Sequence, residues 1–111
     1  MHKYLLLYRN PPPADQQPSP EEMQQMMAQW EAWKTKFKDH VLDMGDGLQH
    51  GGKCLDANGV TDGPFAEAKE IIGGFSIVQA ESYEQAIEVA RECPITFMPD
   101  YNIEVREMMG F

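Results

Sequence analysis

YNIEVREM, residues 101–108, sets Ile103 and Val105 against Glu104 and Arg106. Alternation with a period of two predicts a strand with one buried face and one polar face. A sheet holding such a strand needs cover on one side, and the rest of the chain must supply it. HKYLLLY, residues 2–8, predicts another strand. Its nearly continuous apolar run suits a strand with both faces at least partly covered. The run ends at NPPPADQQPSP, residues 10–20, where five prolines predict a loop.

Two helices supply the cover. Ser19, Pro20 and Glu22 form a helix start: a cap, a first-turn proline and a capping-box glutamate. Met23, Met26, Met27, Trp30, Trp33, Phe37 and Val41 then recur at three- and four-residue steps. That spacing predicts one apolar, core-facing stripe on a helix of about 20 residues. Ser82 with Gln85 opens a second helix, whose face is Tyr83, Ala86, Ile87, Ala90 and Cys93, stopped before Pro94. Between the helices, Gly45 and Gly47 break the first periodicity. KCLD and VTD then flank Asn58-Gly59, which predicts a hairpin with a type I′ turn and two positive φ angles. GFSIVQA, residues 74–80, is the next strand.

The order is strand, helix, strand (as the hairpin), strand, helix, strand, in one domain over residues 1–111. Two helices shield one face of such a sheet, the one holding Ile103 and Val105. The other face takes Glu104, Arg106 and one alternate set of the first strand, either His2, Tyr4, Leu6 and Tyr8 or its complement. Either set contains leucine. An apolar sheet face left bare predicts an interface, so the expectation is a homodimer packed sheet against sheet around a cleft.

Composition excludes several classes. Net charge is −9 and no Lys/Arg cluster occurs, so nucleic acid and anionic membranes are excluded as partners. Cys54 and Cys93, and His2, His40 and His50, lack metal-ligand spacing, so no metal and no cofactor is expected. Both cysteines read as small buried residues rather than nucleophiles. YLLLY is too short for a signal-peptide core, and nothing approaches the roughly 20 apolar residues of a membrane span. The expected compartment is the cytoplasm, with reduced thiols.

SPEEM at 19–23, GLQ at 47–49, TDGPFAEAKE at 61–70, GGF at 73–75 and IEVRE at 103–107 together resemble the YCII-related, DGPF-motif family. The resemblance spans nearly the whole chain. It implies an α+β, ferredoxin-like βαββαβ domain with an antiparallel sheet that dimerises into an α+β barrel. Some members look enzyme-like, and some are associated with extracytoplasmic-function sigma factors. One branch is thought to use a His-Asp pair, His in the first helix and Asp at the end of the second. Those positions here are Trp30 and Cys93, so that pair is absent.

TDGPF supports two accounts. In the structural one, Gly63 relieves the restriction from Pro64, Asp62 accepts backbone N–H bonds in the turn and Phe65 plugs the core. In the functional one, Asp62 is a catalytic acid or base at the mouth of the cleft. Arg106, Tyr4, Tyr8, His50 and Phe65 then hold a small organic ligand, with Arg106 clamping a carboxylate or enolate. The first functional expectation is a small-molecule binder, with cofactor-free proton transfer where it is an enzyme. The alternative is a non-catalytic regulatory module with a protein partner in transcription regulation.

Overall fold

The computed structural model describes residues 1–11, 18–63, 71–98 and 100–110. The described elements are β1 (His2–Arg9), α1 (Pro20–Lys36), β2 (Val41–Gly47), β3 (Gly52–Asp56), β4 (Gly59–Gly63), β5 (Ile72–Ala80), α2 (Tyr83–Arg91), a 3₁₀ turn (Pro94–Phe97) and β6 (Asn102–Glu107). Four strands form one antiparallel sheet in the order β2-β5-β1-β6, and β3 and β4 pair as a separate hairpin. With the hairpin set aside, this is the ferredoxin-like βαββαβ arrangement.

Both helix starts form as the sequence predicts. Ser19 accepts from the Glu22 N–H, and Ser82 from the Gln85 N–H. The first helix is shorter than its apolar periodicity, because Val41 belongs to β2. Val41 pairs with Val78 across the sheet and packs against the core from there.

The hairpin is not the second sheet strand; VLDMGDG, residues 41–47, takes that place. Its partners on β5 are Val78, Ile77, Phe75 and Gly74, with register shifts after Val41 and after Asp43. Each shift inserts an extra residue, which erases the period of two that a strand shows in sequence. Gly45 sits at the second irregularity with φ +68, and its N–H donates to Asp43 Oδ1 at 2.8 Å. The hairpin itself forms one residue earlier than a type I′ turn requires. Asp56 faces Gly59 across Ala57 and Asn58, and neither of those takes a positive φ. The Asp56 carboxylate accepts from the Asn58 N–H at 2.7 Å, closing an Asx turn.

Pairing parity decides the faces. Tyr4, Leu6 and Tyr8 of β1 share a side with Val78, Ser76, Val105 and Ile103. Trp33, Ala86, Val89, Ala90 and Cys93 close over that side. Trp33 also ties the helices together, its indole N–H donating to the Val89 carbonyl at 2.8 Å. Leu5, Leu7, Phe75 and Ile77 point to the opposite side, half-buried, with no described helix above them. No helix among the described residues is long and apolar enough to cross a membrane.

A methyl group on Gly45 would fall 1.8 Å from the Phe75 carbonyl oxygen, while one on Gly51 (φ +83) meets nothing within 4 Å. Gly45→Ala therefore loses about 4 kcal/mol or more by chemical denaturation. Gly51→Ala carries only the left-handed backbone cost of about 1 kcal/mol. Equal losses would show that β2 does not bulge against Phe75.

Candidate functional site

A pocket of about 690 Å³ opens under the N-terminal half of α1. Met26 and Trp30 form its helical wall. Gly73 and Gly74 of β5 face them, and Ile95, Met98 and Tyr101 close one end. Tyr8, only 3% exposed, lies at the floor. Glu22, Glu31, Asp46 and His50, all exposed, ring the rim. Glycine matters at residue 73, where a methyl group would come within 2.6 Å of the Tyr101 hydroxyl and 2.7 Å of a Pro11 carbon. The β2 bulges carry Met44 through Gly47 along the pocket edge.

Under the floor runs a buried chain of polar groups. The Cys93 thiol donates to the Tyr8 hydroxyl at 3.6 Å. Tyr8 donates to Ser76 Oγ at 2.6 Å, and Ser76 donates to the Met44 carbonyl at 2.6 Å. Burial, and then the neighbouring Cys93, push the Tyr8 phenol above its ordinary range. Burial also pushes the Cys93 thiol up to about 11. Tyr101 is raised by burial as well. At neutral pH all three stay protonated, so the floor is uncharged and each donor of the chain is engaged.

The residues singled out from sequence scatter. Tyr8 and His50 meet at the pocket. Tyr4 is buried elsewhere, its ring edge-on to Tyr83 and its hydroxyl donating to Glu107 Oε1 at 3.3 Å. Its phenol is raised by burial and then by Glu107. Arg106 stands on the opposite sheet face, 69% exposed, 3.3 Å from Glu104 Oε2. It shares no cleft with Tyr4 or Tyr8 within the chain. Asp62 stands on the hairpin, ion-paired with Lys53 across β3–β4, its side chain 88% exposed and away from the pocket lining. Phe65 lies outside the described residues.

The two positions where the family resemblance places His and Asp converge on one ring. Trp30 packs edge-on against Tyr8 with centroids 5.7 Å apart, and Cys93 reaches the Tyr8 hydroxyl from the other side. Asp46 and Tyr101, both pocket residues, escaped the sequence reading. Ser76 offered a legible signal, as the polar residue at a buried parity of GFSIVQA. Among the described residues, no group of three or more His, Cys, Asp or Glu could hold a metal ion.

The YCII-related domain model matches residues 3–110. Among solved structures, the chain is similar to 5-chloro-2-hydroxyhydroquinone dehydrochlorinase from Burkholderia phenoliruptrix AC1100, in complex with 2,5-dihydroxybenzoquinone. Identity is 20% and the TM-score 0.50, over 96% of this chain and 92% of that one. At that identity the likeness shows a shared fold. No curated protein matches the chain.

Because folding raises the Cys93 pKa from 9.0 to about 11, the unfolded chain releases that proton first. The linked stability is whole below pH 9.0 and is lost as pH rises through about 11. Tyr8, raised above 10.0, adds to the loss in the same direction. Stability measured by denaturation across that range falls with pH, and falls less for Cys93→Ala, by up to about 3 kcal/mol. Parallel curves for the two proteins would contradict the buried neutral chain.

Proposed function

The chain belongs to the YCII-related domain family, and from that premise we propose that it binds a small organic molecule in the pocket beneath α1, as one half of a homodimer. The observation that carries this reading is the pocket itself. Its volume of about 690 Å³ lies within the usual span for small-molecule sites, and its walls are rings and thioethers with few polar groups. The similar dehydrochlorinase, in complex with a ring-sized quinone, supports a ligand of that size.

Cofactor-free proton transfer is the chemistry this reading allows. Tyr8 and Cys93 stay protonated and are poor bases. Asp46 and His50, at the rim, are the pocket's candidates for taking up a proton. Asp62, away from the lining, joins such chemistry only where a second copy of the chain brings its hairpin over the pocket. The bare face of Leu5, Leu7, Phe75 and Ile77 is the reason for proposing that copy, since an apolar sheet face favours burial against its like.

A second reading, a non-catalytic regulatory module with a protein partner, draws on Trp30 and Cys93 standing where a His-Asp pair is expected. Neither relays a proton at neutral pH: indole has no titratable site there, and the thiol is raised. Ligand binding without turnover, together with a protein partner recovered from the native host, would favour it.

Two measurements test the main proposal. Neutral phenols raise the melting temperature of the protein, and Met98→Trp, which fills the pocket, abolishes the shift while leaving a folded protein. Absence of any shift with the unaltered protein would remove the proposal. Ile77→Lys, on the bare face, turns a sedimenting dimer into a monomer at micromolar concentration. A wild-type protein that sediments as a monomer would remove the dimer.

A further inference from the structure

The rim and wall of the pocket carry charge of one sign. Glu22, Glu31 and Asp46 line it, and no lysine or arginine does among the described residues. Of the chain's nine lysines and arginines, five are ion-paired away from the pocket: Lys36 with Glu92, Lys53 with Asp62, Arg91 with Glu88, and Arg9 and Arg106 with Glu104. At 3.6 residues per turn, Glu22 and Glu31 fall roughly 80–100° to either side of Trp30 around α1. They therefore flank the aromatic wall rather than converge on one point. The Tyr8 hydroxyl at the floor is spent on Ser76. The Trp30 indole N–H and the Tyr101 hydroxyl are neutral donors in the lining, and no described lysine or arginine there offers an anion a positive charge.

Those facts select a ligand charge. An anion would enter a site ringed by carboxylates with no described lysine or arginine in the lining to receive it. A small divalent cation would need ligands gathered at one point, and no such group exists among the described residues. A weakly hydrated organic cation meets neither objection. Its charge sits between the rim carboxylates and the rings of Trp30 and Tyr101, and its apolar body lies against Met26, Met98 and Ile95. The net charge of −9 steers cations toward the site.

We infer that the pocket takes an organic cation, a protonated amine or quaternary ammonium on a ring-sized apolar body. This rests on the reading above that the pocket binds a small organic molecule.

Calorimetric titration at low ionic strength with benzyltrimethylammonium, benzyl alcohol and benzoate tests it. The cation binds about tenfold or more tighter than benzyl alcohol, and benzoate binds more weakly than either. Glu22→Gln and Glu31→Gln each weaken the cation about two- to fivefold and leave benzyl alcohol unchanged. In about 1 M salt, where the screening length is about 3 Å, the preference shrinks. Benzyl alcohol or benzoate binding as tightly as the cation, or glutamine variants without effect, would overturn the inference and leave the pocket reading standing. Failure of all three compounds to bind would overturn both. Unaltered melting temperatures confirm that the variants are folded.

Discussion

A buried tyrosine hydroxyl holds this molecule's elements in register. Tyr8 sits at the C-terminal end of the central strand and receives the Cys93 thiol from the end of α2. It gives its own proton to Ser76 on β5, and Ser76 passes the chain to the Met44 carbonyl on β2. A buried hydroxyl without a partner costs a few kcal/mol, so each link must be made. The chain thereby fixes the seat of α2, the registry of β1 on β5 and the bulged path of β2 together. It also leaves the phenol ring as the floor of a pocket, edge-on to Trp30.

The bulges follow from the same constraint. The Met44 carbonyl reaches Ser76 where β2 has left regular pairing, and Gly45 permits this with a left-handed φ against the Phe75 carbonyl. Irregular strand segments are common beside binding sites because they re-aim side chains. Here the irregular segment puts Asp46 on the rim and lets Gly73 and Gly74 face the helix. Tyr101 and Pro11 approach where a side chain on residue 73 would have stood.

The helix above the pocket has two roles along its length. Its C-terminal half is core, with Trp33 buried and bonded to α2. Its N-terminal half stands off the sheet, leaving Met23 and Met27 more than half exposed. The apolar stripe is therefore wider than the core needs, and the surplus forms a pocket wall whose thioethers adapt to what they contact. Five of the nine lysines and arginines pair with carboxylates on the hairpin, the helix surfaces and the far sheet face, and no described lysine or arginine lines the pocket, whose charged groups are carboxylates.

By itself the sequence determined the helix starts, the parity of β6, the presence of β1 and β5 and the need for one sheet face to be shielded. Each is a local matter, since capping hydroxyls and a period of two are written in neighbouring residues. It could not show that residues 41–47 form the sheet strand while the Asn58-Gly59 segment stands apart as a hairpin. Two inserted residues cancel the alternation, and only the pairing partner on β5 gives those residues a register. Nor could it choose which alternate set of β1 faces the helices. Both sets are apolar, and that choice separates Tyr8 from Arg106. The pocket belongs wholly to the tertiary structure, because Glu22, Trp30, Asp46, Gly73 and Tyr101 become neighbours only when α1 lies across the ends of three strands.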